Sequence, residues 1–162
     1  MDENRIKSLI KIWYEKSTHE NDPFSKFIFL WFCINAWMSH CSNETRDAEL
    51  VREFADREPS MSDFTSAYDT LMQATPAVFR VHLQTLVNLS PIRDARGFKA
   101  DTVILNENDY QNIIWGIYKI RCNLFHGGKH ADDSRDQKLV IVAGKILEKI
   151  IGRLVAQWRN NA

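Results

Sequence analysis

The run Asp22-Pro23-Phe24-Ser25-Lys26-Phe27-Ile28-Phe29-Leu30-Trp31-Phe32-Cys33-Ile34-Asn35-Ala36-Trp37-Met38-Ser39-His40 decides the fold class. Its first two residues are a helix start: the Asp side chain can accept from free N–H groups, and the proline ring already holds a helical φ in the first turn. From there to about His40, Phe24, Phe27, Ile28, Leu30, Trp31, Ile34 and Trp37 leave almost no polar face. A helix that is apolar nearly all round belongs at the centre of a helical assembly. The stretch from Phe27 to Met38 is too short to span a bilayer and is interrupted by Asn35, so no membrane partner is expected. Asn35 itself reads as a satisfied core amide that fixes helix register.

Helical signals continue outward on both sides. Before the run, Ile6, Leu9, Ile10 and Trp13 make an amphipathic helix that fades by His19. After it, residues 43–58 carry a narrow apolar stripe of Leu50, Val51 and Phe54, and their many charges read as a solvated face. Ser62-Asp63 opens a helix reaching Ala74, and Thr75-Pro76 repeats the cap-plus-proline signal ahead of Val78, Val81, Leu83, Leu86 and Val87. Residues 89–105 hold Pro91, Gly97 and the charges Arg93, Asp94 and Arg96, and read as a long loop with a short strand at Val103-Ile104. Asn106 is the expected cap of a helix from Glu107 to about Phe125, closed by Gly127-Gly128. Asp132, Asp133 and Ser134, with Gln137 in capping-box register, open a last helix striped by Leu139, Val142, Ile146, Ile150 and Leu154.

Composition supports one all-α domain over residues 1–162. Only 6 Gly and 4 Pro occur in 162 residues, too few tight-turn residues for an all-β chain of this length. Lys+Arg and Asp+Glu balance at 21 each, so there is no global positive field and any nucleic-acid contact must be local. Cys33, Cys41 and Cys122 are odd in number and lack zinc-site spacing, and the chain starts on acidic residues, from which a reduced, cytoplasmic protein is expected.

Chemistry concentrates on the helix from Glu107. Ile113, Ile114, Ile117, Ile120 and Leu124 share one arc at about 100° per residue, and Arg121 falls inside that arc. A guanidinium on an apolar face must reach water, a carboxylate or an anionic ligand, because its charge cannot be neutralised. His126 follows five residues later at the helix end. Imidazole moves protons near neutral pH, and a guanidinium can brace charge developing on a phosphate. His126 and His130 have the spacing of two helical metal ligands, but the glycines between them break the helix that would align them, so neither a metal nor a cofactor is expected.

The run Tyr118-Lys119-Ile120-Arg121-Cys122-Asn123-Leu124-Phe125-His126-Gly127-Gly128-Lys129 closely resembles the signature of HEPN domains, small helical bundles of nucleic-acid defence and RNA processing. The likeness is most specific over about residues 110–130 and looser over the apolar helix around Phe32–Trp37 and the closing helix. It implies an up-and-down helical bundle with extra inserted helices. It further implies a metal-independent endoribonuclease cleaving single-stranded RNA to a 2′,3′-cyclic phosphate, in a toxin–antitoxin or antiphage setting. Arg121 and His126 would be the catalytic pair, and Asn123, Lys119 and Lys129 would support them or contact a phosphate. Two protomers would join their motifs in a homodimer, and an antitoxin or another regulatory protein is the expected further partner. Cys122 stands where the family usually has Asn, Asp or His, and Gly128 where toxins silenced by nucleotidyl transfer carry tyrosine. The alternative, in a different class, is a non-catalytic HEPN-like module that binds RNA or protein through the same residues.

Overall fold

The apolar run becomes helix α2 (Pro23–Cys41), started as its sequence requires, with the Asp22 carboxylate accepting from the Ser25 N–H at 2.9 Å. The structure, a computed structural model, describes residues 2–126 and 133–161. Among these it holds seven helices: α1 (Glu3–His19), α2, α3 (Asp47–Ala55), α4 (Ser62–Gln73), α5 (Val78–Leu89), α6 (Tyr110–Phe125) and α7 (Ser134–Asn160), with a 3-10 turn at Pro59–Met61. The all-α class is therefore established, and no strand occurs among the described residues. None of these helices is long and apolar enough to cross a membrane.

α2 packs between α1 and α7 and also touches α3. Phe27, Leu30, Cys33, Ile34 and Met38 are fully buried, each large side chain contributing about 1.5–3 kcal/mol by leaving water. Burial is not all round, however. Phe24 and Ile28 are half-buried, and Phe32 is exposed beside Trp13 of α1, which stacks on Phe29 at 5.6 Å and meets Phe32 edge-on at 5.3 Å. The fuller core role falls to α7, about 40 Å long at 1.5 Å per residue, which contacts α1, α2, α4, α5 and α6. Its buried set includes the expected stripe and adds Val140, Ala143, Leu147, Ile151 and Val155 on a second face.

Helix ends differ from the sequence expectations where side chains are committed elsewhere. Asn106 Oδ1 accepts from the Asn108 N–H at 2.8 Å, a local turn that spends the cap, so α6 begins at Tyr110 and not at Glu107. Asp133, not Ser134, caps α7 through the Asp136 N–H at 2.9 Å, which places Asp136 rather than Gln137 three residues into the helix. Asp132 and Gly127-Gly128 lie outside the described residues. α3 starts at Asp47, and the chain leaves it through Arg57 at φ 56, a left-handed residue pinned by two 3.0 Å bonds to the Asp69 carboxylate and by stacking 4.0 Å over the Tyr110 ring.

The long loop carries no strand. Ile92 and Thr102 form a single antiparallel bridge of two 2.8 Å hydrogen bonds, and Ile104 tucks in beside it. Buried Ile92 and Ile104 dock on α6 at Gly116, where a Cβ would lie 2.8 Å from Ile92 Cδ1 and 3.2 Å from Ile104 Cδ1. The missing side chain at position 116 lets the loop reach the helix that carries Arg121 and His126.

Candidate functional site

Arg121 reaches the site through α6, whose Ile113, Ile117 and Ile120 anchor the helix in the core. Its guanidinium is not aimed at open solvent. Nη2 donates to Asp47 Oδ2 at 2.7 Å, with the two side chains 20% and 29% exposed. Aromatic rings surround the same group: its central carbon lies 4.7 Å from the Phe125 ring, 5.7 Å from Trp31 and 5.9 Å from Tyr118. Nε is buried with no acceptor among the described residues, so a charged donor remains unmatched inside the cluster. Cys122 Sγ sits 4.0 Å from Nη1. Burial and then the neighbouring Cys122 thiol push the Tyr118 phenol up to about 12, which keeps that hydroxyl protonated.

His126 caps the C-terminus of α6, its backbone N–H donating to the Cys122 carbonyl at 3.0 Å, and its side chain is exposed. Five residues at about 100° each separate it from Arg121 by about 140° around the helix axis. One helix therefore presents the guanidinium and the imidazole in different directions.

The remaining sequence candidates have other surroundings. Asn123 is buried, and its amide is committed at both ends: Nδ2 donates to the Arg93 carbonyl at 2.7 Å and Oδ1 accepts from the Ala95 N–H at 2.9 Å. It fastens the start of the 93–99 segment to α6. Lys119 Nζ donates to the Ala100 carbonyl farther along that segment. Lys129 and His130 lie outside the described residues. Asn35, expected as a satisfied amide, leaves its Oδ1 buried without a hydrogen-bond partner among the described residues.

Asp47 was not singled out by the sequence. It opens α3 inside the charged run read as a solvated face, and its only sequence signal is indirect: an arginine on an apolar stripe must reach water, a carboxylate or an anionic ligand. Trp31 was read as core, and nothing local to it announced a neighbouring cation. Beside Asn123 lies a cleft of about 310 Å³ bounded by Pro91, Arg93, Asp133 and Arg135. Arg135 is already occupied there, donating to the Leu89 and Pro91 carbonyls at 2.6 and 2.7 Å.

No protein-family model, curated protein or solved structure matches this chain. A half-buried guanidinium with a buried Nε unmatched, an aromatic surround and an exposed imidazole at the end of the same helix can bind an oxyanion and move a proton.

Proposed function

We propose that the chain is a metal-independent endoribonuclease of the HEPN type acting on single-stranded RNA. The observation that carries the reading is Arg121: a permanent cation held in a half-buried aromatic cluster with its Nε unmatched, five residues ahead of an exposed histidine. In the reaction the ribose 2′-oxygen attacks the adjacent phosphorus while its proton passes to an imidazole. The bond from phosphorus to the 5′-oxygen breaks as that oxygen takes up a proton, leaving a 2′,3′-cyclic phosphate. Arg121 stabilises the pentavalent phosphate. One His126 cannot serve as base and acid at once, and the roughly 140° divergence of Arg121 and His126 on α6 gives a second reason to expect a homodimer that combines groups from two chains. A toxin–antitoxin or antiphage role belongs to the same reading.

The second reading, a non-catalytic module binding RNA or protein, is favoured by one observation: Asp47 already occupies the Arg121 fork at 2.7 Å. Purified protein incubated with mixed RNAs in excess chelator separates the two. Ribonuclease function requires cleavage to cyclic-phosphate ends, loss of activity in Arg121→Ala with the helical content intact, and a fall on the order of 10² to 10⁴ in rate for His126→Ala. Equal cleavage by wild type and His126→Ala would identify a contaminating nuclease, and RNA binding without cleavage would establish the module.

A further inference from the structure

A second cleft, of about 380 Å³, lies between α6 and the docked loop. Trp115, Tyr118 and Lys119 of α6 form one wall, and Arg96, Lys99 and Asp101 face them from the loop. The volume is at the lower end of the roughly 300–1,000 Å³ that small-molecule sites occupy, which suits one flat group and not a folded duplex. Trp115 and Tyr118 stand edge to face at 5.8 Å and are both half-buried, so ring surface still lines the cleft.

Charge in the cleft is arranged to favour an anion. Arg96 pairs with Asp94 at 3.8 Å, which leaves Lys99 and Lys119 as two cations against the single carboxylate of Asp101. Asp94 is turned inward and buried, and its carboxylate accepts from the N–H groups of Lys99 at 2.8 Å, Phe98 at 3.0 Å and Arg96 at 3.4 Å. Lys119 gives one of its three hydrogens to the Ala100 carbonyl and keeps two for another acceptor. At the tip of the same loop, Gly97 at φ 70 makes the turn that carries Phe98, a ring 81% exposed with the Arg96 guanidinium 5.8 Å away. Aromatic faces interleaved with cations are the chemistry by which proteins hold unstacked bases of a single strand.

We propose that this cleft is a subsite for one unpaired nucleotide of single-stranded RNA, its base stacked on Trp115 with the Tyr118 ring at its edge and its phosphate met by Lys99 and Lys119. The proposal rests on the ribonuclease reading and extends it. Two residues join the cleft to the Arg121 cluster: the Tyr118 ring is 5.9 Å from the guanidinium, and Cys122 lines the cleft with its Sγ 4.0 Å from Arg121 Nη1. A nucleotide seated here places its neighbouring phosphodiester toward Arg121.

The test uses a short 2′-O-methyl RNA, which cannot supply the attacking hydroxyl, titrated into the full chain with chelator while tryptophan emission and oligonucleotide anisotropy are followed. Loss of one stacked base in Trp115→Ala should weaken binding roughly five- to 150-fold. Lys99→Glu should weaken it and lower the salt dependence by about 0.7 per lost phosphate contact, the value for single strands. Lys99 is exposed, so Lys99→Glu carries the test if Trp115→Ala fails to fold. No binding by wild type, or unchanged binding in Lys99→Glu and in a folded Trp115→Ala, overturns the subsite even where His126→Ala abolishes cleavage of natural RNA. Binding that these variants weaken, in a protein that cleaves nothing, keeps the subsite and removes the ribonuclease.

Discussion

Replacing Asp47 with alanine is expected to destabilise the protein by about 2 kcal/mol through Arg121 alone. Fully exposed ion pairs are worth roughly 0–1 kcal/mol, and removing one partner of a fully buried pair costs about 3–5 kcal/mol. At 20% and 29% side-chain exposure this pair falls between those limits. The substitution also strands Nη2 next to an Nε that already lacks an acceptor, and an unmade buried donor costs about 1–3 kcal/mol. For a chain of 162 residues, about 2 kcal/mol lowers Tm by roughly 4–8 °C. Urea unfolding of wild type, Asp47→Ala, Arg121→Met and the double variant isolates the interaction, since methionine keeps apolar volume against Trp31 and Phe125 while removing the charge. A coupling of about 1–2 kcal/mol is expected. Single-variant effects that add to within about 0.5 kcal/mol would refute the pairing and return Asp47 to the solvated face that its neighbours in sequence suggested.

Gly116→Ala should raise amide exchange across residues 92–104, because the new methyl meets Ile92 Cδ1 at 2.8 Å and Ile104 Cδ1 at 3.2 Å and pushes the docked loop outward, while alanine itself favours the helix by about 0.5–1 kcal/mol; unchanged exchange would mean the loop docks by other contacts. Asn123→Ala removes two bonds to the Arg93 and Ala95 backbone and should cost about 1–3 kcal/mol, measured by thermal unfolding, with the rest of α6 still helical by circular dichroism. Asp94 is held below the usual carboxylate range, chiefly by the Lys99 N–H and further by those of Arg96 and Phe98. Its contribution is therefore present above the ordinary aspartate pKa of about 3.9 and lost as pH falls through the lower folded value. Loop exchange should rise in that acid window in wild type and lose the same pH step in Asp94→Asn.

The fold class was legible because apolar residues crowd the 22–40 run at helical spacing and leave almost no polar face, although α2 keeps Phe32 exposed and the fuller core role falls to α7. Boundaries were less legible where a polar side chain had two uses. Asn106 looks like a cap in sequence but spends its oxygen on Asn108, four residues before α6 begins. Gly116 gave no signal at all, since the need for a bare Cα is set by Ile92 and Ile104, both distant in sequence. The site shows the same division. That Arg121 had to reach water, a carboxylate or an anionic ligand followed from its place on an apolar stripe, whereas its actual partner, Asp47, depended on the packing of α3 on α6. Asn123, a neighbour of the motif in sequence, is tied to the backbone of another segment, a use that spacing cannot reveal.

The Arg121–Asp47 pair bears directly on how a phosphate would enter. An aspartate oxygen 2.7 Å from Nη2 occupies a position that a phosphate oxygen would need, so binding exchanges one charge-assisted hydrogen bond for another. An exchange of that kind adds little affinity from Arg121 itself. With acidic and basic residues balanced at 21 each, the whole-chain field adds little either. In the proposed reading, affinity for RNA has to come from beside the arginine, where ring surface and unspent ammonium hydrogens remain, and the exchange at Arg121 becomes favourable only once a strand is already held. On that reading, release of the guanidinium from Asp47 would depend on the bound nucleotide, and the same carboxylate that pairs with α6 in the free protein would disfavour stray anions at Arg121.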